Sequence, residues 1–410
     1  MFSRKEDVVV CHINSGDRLI HYSSNSKKIT GCTVEKIVDN SIVIVLDEVI
    51  ASKTKLTLPL THFGEWLFFD KSHISLSSIE LYVEYSIFGN KRFKNILKDD
   101  NRRLLKCLKE HKFEGFHHYT DFANLEKIFE EGFLYSRKNA AKRGVISCDG
   151  AQKEIIERTN VGVKNHVRFY YKECTPTMFV NEGIKRNLLP NSPHMPIPVL
   201  LLFDEKLLFC ENAKVSDGGC GNSHSKITAN FEDALHFAWE DVFSRGPLPS
   251  HDDDNYEMLK NRRNAEFLVN EKVSLNHLKK IIFRSNADKK HADSILKNNH
   301  VYQKTDKYVD IKKFNVSSGK ITHEDDERNY LKDYTLAVKN GNYIVRLDFY
   351  GDTSEYSHKL VIYHNNGKKY YKNICCTGKK VEFSVGALNG VLKMEYLMND
   401  IICAVWERKL

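Results

Sequence analysis

A carboxylate stands inside an apolar run at RRNAEFLV, residues 262–269: Glu266, with Arg262 and Arg263 just before it. Strand alternation puts Ala265, Phe267 and Val269 on one face and Glu266 with Leu268 on the other. Glu266 either sits on a solvated strand face or lines a cleft, where a carboxylate can stabilise positive charge developing on a substrate. A second stretch, FHHYTDFANLEKIFEEGFLYSR (116–137), sets His117, His118 and Thr120 at the end of a strand. Imidazole beside hydroxyl can hold a nucleotide by hydrogen bonds; the alternative is a histidine satisfied within a core. In a third, AQKEIIERTNVGVKNHVRFYYKECTPTMF (151–179), a helix ends near Arg158. Such an arginine is a solvated charge or local ion pair, or it grips a phosphate in bidentate fashion. A fourth, AWEDVFSRGPLPSHDDDNYEMLKNRRN (238–264), is loop-like and mixes aromatic, acidic and basic residues. Its HDDD run does not converge on a metal by itself, and these aspartates serve as caps for the next helix. Cys210, Cys220 and His224 match no zinc spacing, so no metal is expected.

The elements that must position these groups read as an α+β chain with β domains at both ends. Residues 1–92 carry short β-branched and aromatic runs (VVVCHI, SIVIVLDEV, KLTLPL, EWLFFD, IELYVEYSIF), which predict a small barrel or sandwich. Residues 93–112 place Ile96, Leu97, Leu104, Leu105 and Leu108 at helical spacing, which predicts an amphipathic linker helix. Residues 113–315 mix strand-like and helix-like runs around the four stretches. In DFANLEKIFEEG, Leu125, Ile128 and Phe129 form a stripe and Gly132 is placed as a C-cap. The polar segment 316–328 reads as a linker. Residues 329–410 alternate apolar and polar around Asn-Gly pairs at 340–341, 366–367 and 389–390, predicting a β-sandwich-like domain built of hairpins.

The whole chain narrows the function classes. Its 410 residues are 41% hydrophobic, 11% aromatic and 28% charged, the composition of a globular protein and not of a disordered or fibrous one. A net charge of +8 favours an anionic partner such as nucleic acid. No run has transmembrane length, and the N-terminus lacks a signal-peptide pattern. Ten cysteines scattered without a disulfide framework fit a reducing cytoplasm.

In order, the four stretches resemble the DarT family of ADP-ribosyltransferase toxins. The matching segments are HHYT (117–120), NLEKIFEEGFL (124–134), IIERT (155–159), VRFYYKECTPTM (167–178) and RNAEFLV (263–269), within about 115–290. The resemblance implies a central ADP-ribosyltransferase fold, a split mixed β core gripping NAD without a metal. It implies transfer of ADP-ribose to a nucleobase of single-stranded DNA; RNA stands close behind as acceptor. A bacterial toxin or phage-defence role, with a neutralising antitoxin partner, belongs to the same reading. Modification of a protein side chain, or an inactive binding module, are the alternatives. By position, Glu266 matches the catalytic glutamate and Arg158 the catalytic arginine, which also touches the cofactor. His118 and Thr120, with His117 beside them, match NAD-contacting positions, and Tyr135 falls on the nicotinamide side. Two positions depart from the family pattern: Arg168 stands where the family has proline, and Lys127 where glycine is usual. In stretch 238–264, Trp239, Phe243 and Tyr256 can stack a base and Arg245, Arg262 and Arg263 can hold phosphates.

Overall fold

The computed structural model describes Ser15 and residues 18–23, 28–38, 41–50, 53–59, 67–69, 99–148, 161–186, 194–210, 213–314, 328–386 and 389–407. The described N-terminal residues form one antiparallel sheet of five strands: β1 Arg18–Ser23, β2 Lys28–Val38, β3 Ser41–Ile50, β4 Lys53–Pro59 and β5 Leu67–Phe69, in the order β4-β3-β2-β1-β5. Its alternation is that of a half-buried sheet: Cys32, Val34, Ile42, Ile44 and Leu46 are buried, with more exposed residues between them. The runs at 8–13 and 79–88 expected to join this domain lie outside the described residues.

The helix expected at 93–112 is seen as Asp99–Glu110. It docks rather than spanning a gap. Leu104 and Leu108 are fully buried, Asn101 donates to the Leu208 carbonyl at 2.6 Å, and Lys109 pairs with Glu205 at 3.0 Å. The apolar stripe that marks it as amphipathic in the sequence is the face that packs.

The middle of the chain builds an eight-stranded mixed sheet. In chain order its strands are β6 Phe116–Asp121, β8 His166–Tyr170, β10 Pro198–Phe203, β11 Lys214–Ser216, β12 Ile227–Thr228, β13 Glu266–Asn270, β15 Leu278–Phe283 and β16 Asp306–Val309. Two short partners, β7 Phe133–Tyr135 and β14 Lys272–Ser274, pair separately. The sheet order is β12-β11-β13-β8-β6-β10-β15-β16, antiparallel except for β15 beside β16. PVLLLF in β10 is buried along its whole length, as a central strand covered on both faces must be. One junction is different. β6 and β8 share only the pair His117–Tyr170, whereas β6 and β10 share six pairs. The sheet therefore opens between β6 and β8 just past His117.

Local chemistry holds β6 in place at both ends. Gly115, at φ +142°, lets the chain enter beside β10; a Cβ there would lie 2.2 Å from the Phe203 carbonyl oxygen. At the far end Asp121 accepts from the Ala123 and Ile197 amides, capping the turn that leads into the helix Leu125–Glu131. That helix buries Leu125, Ile128 and Phe129 and ends on left-handed Gly132, as its sequence predicts.

The C-terminal residues form two antiparallel sheets that share a core including Val345, Leu347, Phe349, Leu360, Met394 and Tyr396. One contains β18 Leu331–Lys339, β19 Asn342–Phe349 and β22 Lys380–Gly386 in the order β18-β19-β22. The other contains β20 His358–His364, β21 Lys369–Asn373, β23 Val391–Met398 and β24 Ile401–Glu407 in the order β21-β20-β23-β24. Asn340 and Gly341 both take positive φ (50° and 78°), the tight hairpin turn their pairing predicts. β9 Ile184–Lys185 pairs with β17 Arg328–Asn329, and Lys290–Asp333 and Lys297–Glu407 ion pairs join the two regions.

Candidate active site

The opening between β6 and β8 is the mouth of a cleft of about 780 Å³, within the range of small-molecule and cofactor sites. His118, Thr120, Tyr135 and Glu266 line it together, although they come from three separate strands, β6, β7 and β13. The cause is the sheet's register. Glu266 is directly opposite Tyr170, and Tyr170 opposite His117, so the last joined pair of the sheet sits beside the glutamate. The carboxylate of the opening motif is thus neither solvated nor misplaced: it is 2% exposed and turned into the cleft wall.

Glu266 is held on several sides. Its amide donates to Ser216 Oγ at 2.9 Å, and the Tyr171 hydroxyl reaches its carbonyl at 3.4 Å. Its carboxylate receives a bidentate grip: Arg168 Nε donates to Oε2 at 2.6 Å and Nη2 to Oε1 at 2.5 Å. Burial disfavours the guanidinium charge, but Glu266 outweighs it and holds the Arg168 pKa above the usual arginine value. The pair stands two strand positions along from the split, since Arg168 lies opposite Leu268 on β8.

His118 Nδ1 lies 2.9 Å from the Arg168 carbonyl. A carbonyl can only accept, so Nδ1 carries the hydrogen. Burial pulls the His118 pKa down to about 4, so the ring is neutral at pH 7 and Nε2 is left as an acceptor. Thr120 Oγ1 accepts from Asn124 Nδ2 at 3.2 Å. Asn124 in turn accepts from the Ser147 and Cys148 amides at 2.7 and 3.0 Å, pinning the far wall of the cleft. Tyr135 sits at the rim, donating to Glu131 with the Arg143 guanidinium 4.6 Å from its ring.

Other expected positions land elsewhere. His117 does not line the cleft; it is buried where β6 and β8 are still joined, with Nε2 3.8 Å from Glu173. Successive strand residues point to opposite faces, so His117 and His118 cannot share one role. Arg158 lies outside the described residues. Trp239 is buried, donates to the Ala234 carbonyl at 2.8 Å and packs edge-on against Tyr171. Tyr256 is buried against His251, and Arg263 clamps the loop through Ser244 Oγ and the Gly246 carbonyl. Arg262 pairs with Asp241 at 2.5 Å. Arg245 pairs with Glu173 at 2.8 Å but keeps its side chain 68% exposed. Of the six residues expected to face nucleic acid, Trp239, Tyr256 and Arg263 are thus scaffold, and the reason is helical phase. In the helix Tyr256–Arg262 and its continuation, Glu257, Lys260, Asn261 and Asn264 face the cleft, whereas Tyr256 and Arg263 share the inward side. Marking that helix at 3.6-residue spacing would have found them.

Two expectations follow here. Trp239→Ala should cost roughly 3–5 kcal/mol of stability, as a large buried side chain does, with no selective loss of oligonucleotide binding. Chemical denaturation and binding titrations check this. The second concerns pH. His117, His118 and His291 are each pulled down to about 4 by burial. Their neutral forms favour the fold, so that stability is full above the unfolded pKa near 6.5 and drains as pH falls towards 4. Asp121, pushed up to about 6 by burial, opposes this more weakly, contributing stability below pH 4 that is lost as pH rises through 6. Melting temperature should fall between pH 7 and 4.5, and less so in His118→Gln; a flat profile would contradict the assignment.

Among the described residues no group of three His, Cys, Asp or Glu is arranged to hold a metal. Cys210 and Cys220 are buried, with Cys220 turned towards Glu266 and its thiol pushed well above its usual pKa by burial and then by that carboxylate. Among the described residues no helix is long and apolar enough to cross a membrane.

Residues 117–314, just under half of the chain, match the family model described as ssDNA thymidine ADP-ribosyltransferase, DarT. Over that span the chain is similar to the DarT family. Its flanking β sheets lie outside the match. Among solved structures, Thermus sp. 2.9 DarT in complex with ADP-ribosylated ssDNA is 16% identical, covering 48% of this chain and 95% of that one at a TM-score of 0.40. The same Thermus DarT in complex with NAD+ is 15% identical over 48% and 96%, at 0.36. Thermosipho africanus DarTG in complex with ADP-ribose is 14% identical over 49% and 51%, at 0.36. No curated protein matches the chain significantly. Glu266, His118 and Arg168 all fall inside the DarT-matched span.

Proposed function

We propose that the DarT-like domain cleaves NAD and transfers its ADP-ribose to a nucleobase of single-stranded DNA. The observation that carries this reading is the buried Glu266 carboxylate at the split of the sheet, in one cleft with His118 and Thr120. In the reaction the bond between nicotinamide nitrogen and ribose breaks. Its electron pair leaves with the nicotinamide, which departs neutral, and the ribose carbon becomes oxocarbenium-like. A nitrogen of the acceptor base then bonds to that carbon and gives up its proton to solvent or a nearby base. Glu266 accepts hydrogen bonds from ribose hydroxyls and offsets the positive charge of the sugar. Its pairing with Arg168 does not preclude this, because a carboxylate offers about four lone-pair directions and Arg168 uses two. His118 Nε2 accepts a hydrogen bond from the dinucleotide, and Thr120 offers a hydroxyl beside it. Arg158, by its match to the family pattern, assists the base or the phosphates.

In this reading Lys260, Asn261 and Asn264, which line the same cleft, and the exposed Arg245 on the neighbouring loop meet the acceptor strand. The reading includes a toxin role held in check by a neutralising partner in the cytoplasm. The test is to incubate the protein with NAD and panels of single-stranded DNA, RNA and protein, then read each by mass. Gain of one ADP-ribose on DNA supports the proposal. Modification of RNA alone, or of protein alone, moves the acceptor to that class; no modification of any of them overturns it.

A further inference from the structure

From His358 to Lys380 the chain has six lysines, three tyrosines and no aspartate or glutamate. This segment folds as the hairpin β20–β21, and β21 is the edge of its sheet. All five residues of β21 are exposed, Tyr370 at 49% and Tyr371 at 67%. Lys369 on β21 is opposite Tyr363 on β20, which is opposite Lys393 on β23. The result is a row across three strands, with the two ammonium groups 5.0 and 5.5 Å from the Tyr363 ring centre. Tyr371, two positions along from Lys369, stands on the same face. Glu395 belongs to that face too, but it is buried and engaged by the Tyr363 hydroxyl at 2.6 Å and by Lys393 at 2.7 Å.

Lysines on an edge strand usually guard against edge-to-edge pairing. That role gives no place to two exposed tyrosines, which would invite association. A sheet face that interleaves aromatic rings with cations does what a single strand requires: rings stack on bases, and ammonium groups meet phosphates. None of these residues lines the cleft. We propose that the Tyr363–Lys369–Tyr371 face of this hairpin is a second binding site, for single-stranded DNA, that captures the acceptor outside the catalytic cleft. The choice of DNA rests on the transfer reaction proposed above; the charge and ring pattern of the surface does not.

The experiment uses the full chain without NAD, so that binding is read apart from transfer. Fluorescence anisotropy with a labelled single-stranded DNA of mixed sequence, across a salt series, compares wild type with Tyr371→Ala/Lys369→Ala and with Tyr371→Phe. The double variant should bind about tenfold more weakly or worse, from the lost stack. Its plot of log affinity against log salt should be shallower by about 0.7, from one lost phosphate contact. Tyr371→Phe, which keeps the ring, should bind like wild type, and NAD binding and melting temperature should stay unchanged in both. Unchanged affinity and salt slope in the double variant would overturn the proposal, as would a loss seen only with RNA or duplex. Wild type that binds DNA through this face yet never modifies it would sink the transfer reaction and leave the second site standing.

Discussion

Glu266→Gln is expected to lower the rate of ADP-ribose transfer by roughly 10²–10³-fold while leaving NAD affinity nearly unchanged. Glutamine keeps the length and shape of the side chain and can still accept a hydrogen bond from a ribose hydroxyl. What it lacks is the negative charge, and that charge matters only when the sugar becomes cationic. The loss should therefore appear in kcat and not in KM. The low exposure of Glu266, 2%, makes the effect large, because its field is little screened by water. Steady-state nicotinamide release and a binding titration with NAD separate the two parameters. A Glu266→Gln protein that transfers at the wild-type rate would remove the carboxylate from the chemistry. One whose KM alone rises would make it a binding residue.

Arg168→Ala should destabilise the protein by about 2–3 kcal/mol, and Glu266→Gln in the same chain should recover most of it. The single change leaves a buried carboxylate facing an empty space, the condition that makes breaking such a pair costly. A cost below the usual ~3–5 kcal/mol is expected, because the Arg168 side chain is 34% exposed and water can partly take its place. Removing both charges takes away the need for compensation, so the two effects should not add. Activity supplies a second signature. Arg168→Lys keeps the charge but not the two-pronged geometry, and should retain part of the rate that Arg168→Ala loses. Urea denaturation of the four chains of the cycle measures the coupling. Additive losses would show that the pair is incidental to how Glu266 is held.

Much of this was legible in the sequence, and the missing parts have physical causes. The apolar stripe of 125–129 and the Asn-Gly turn at 340–341 announce a helix and a hairpin because their signals are local. Glu266, His118, Thr120 and Tyr135 were also identifiable, and they line one cleft. The Arg168–Glu266 pair was not: Arg168 reads only as a departure from a proline, and its partner lies 98 residues away across a strand register. Trp239, Tyr256 and Arg263 show the opposite failure. Their types suit a nucleic-acid surface, but residue type does not say which way a helix face turns, and all three point inward. The lysine-rich hairpin escaped for a simpler reason. Its signal is an absence of acids over 23 residues, which no motif search registers.

ADP-ribose transfer to DNA is tested most directly by the mass of a single-stranded DNA oligonucleotide after incubation with the protein and NAD. The expected product is heavier by one ADP-ribose, depends on NAD, comes with one released nicotinamide per product, and forms roughly 10²–10³-fold more slowly with Glu266→Gln. NAD consumed to free ADP-ribose with every oligonucleotide at its starting mass would contradict it.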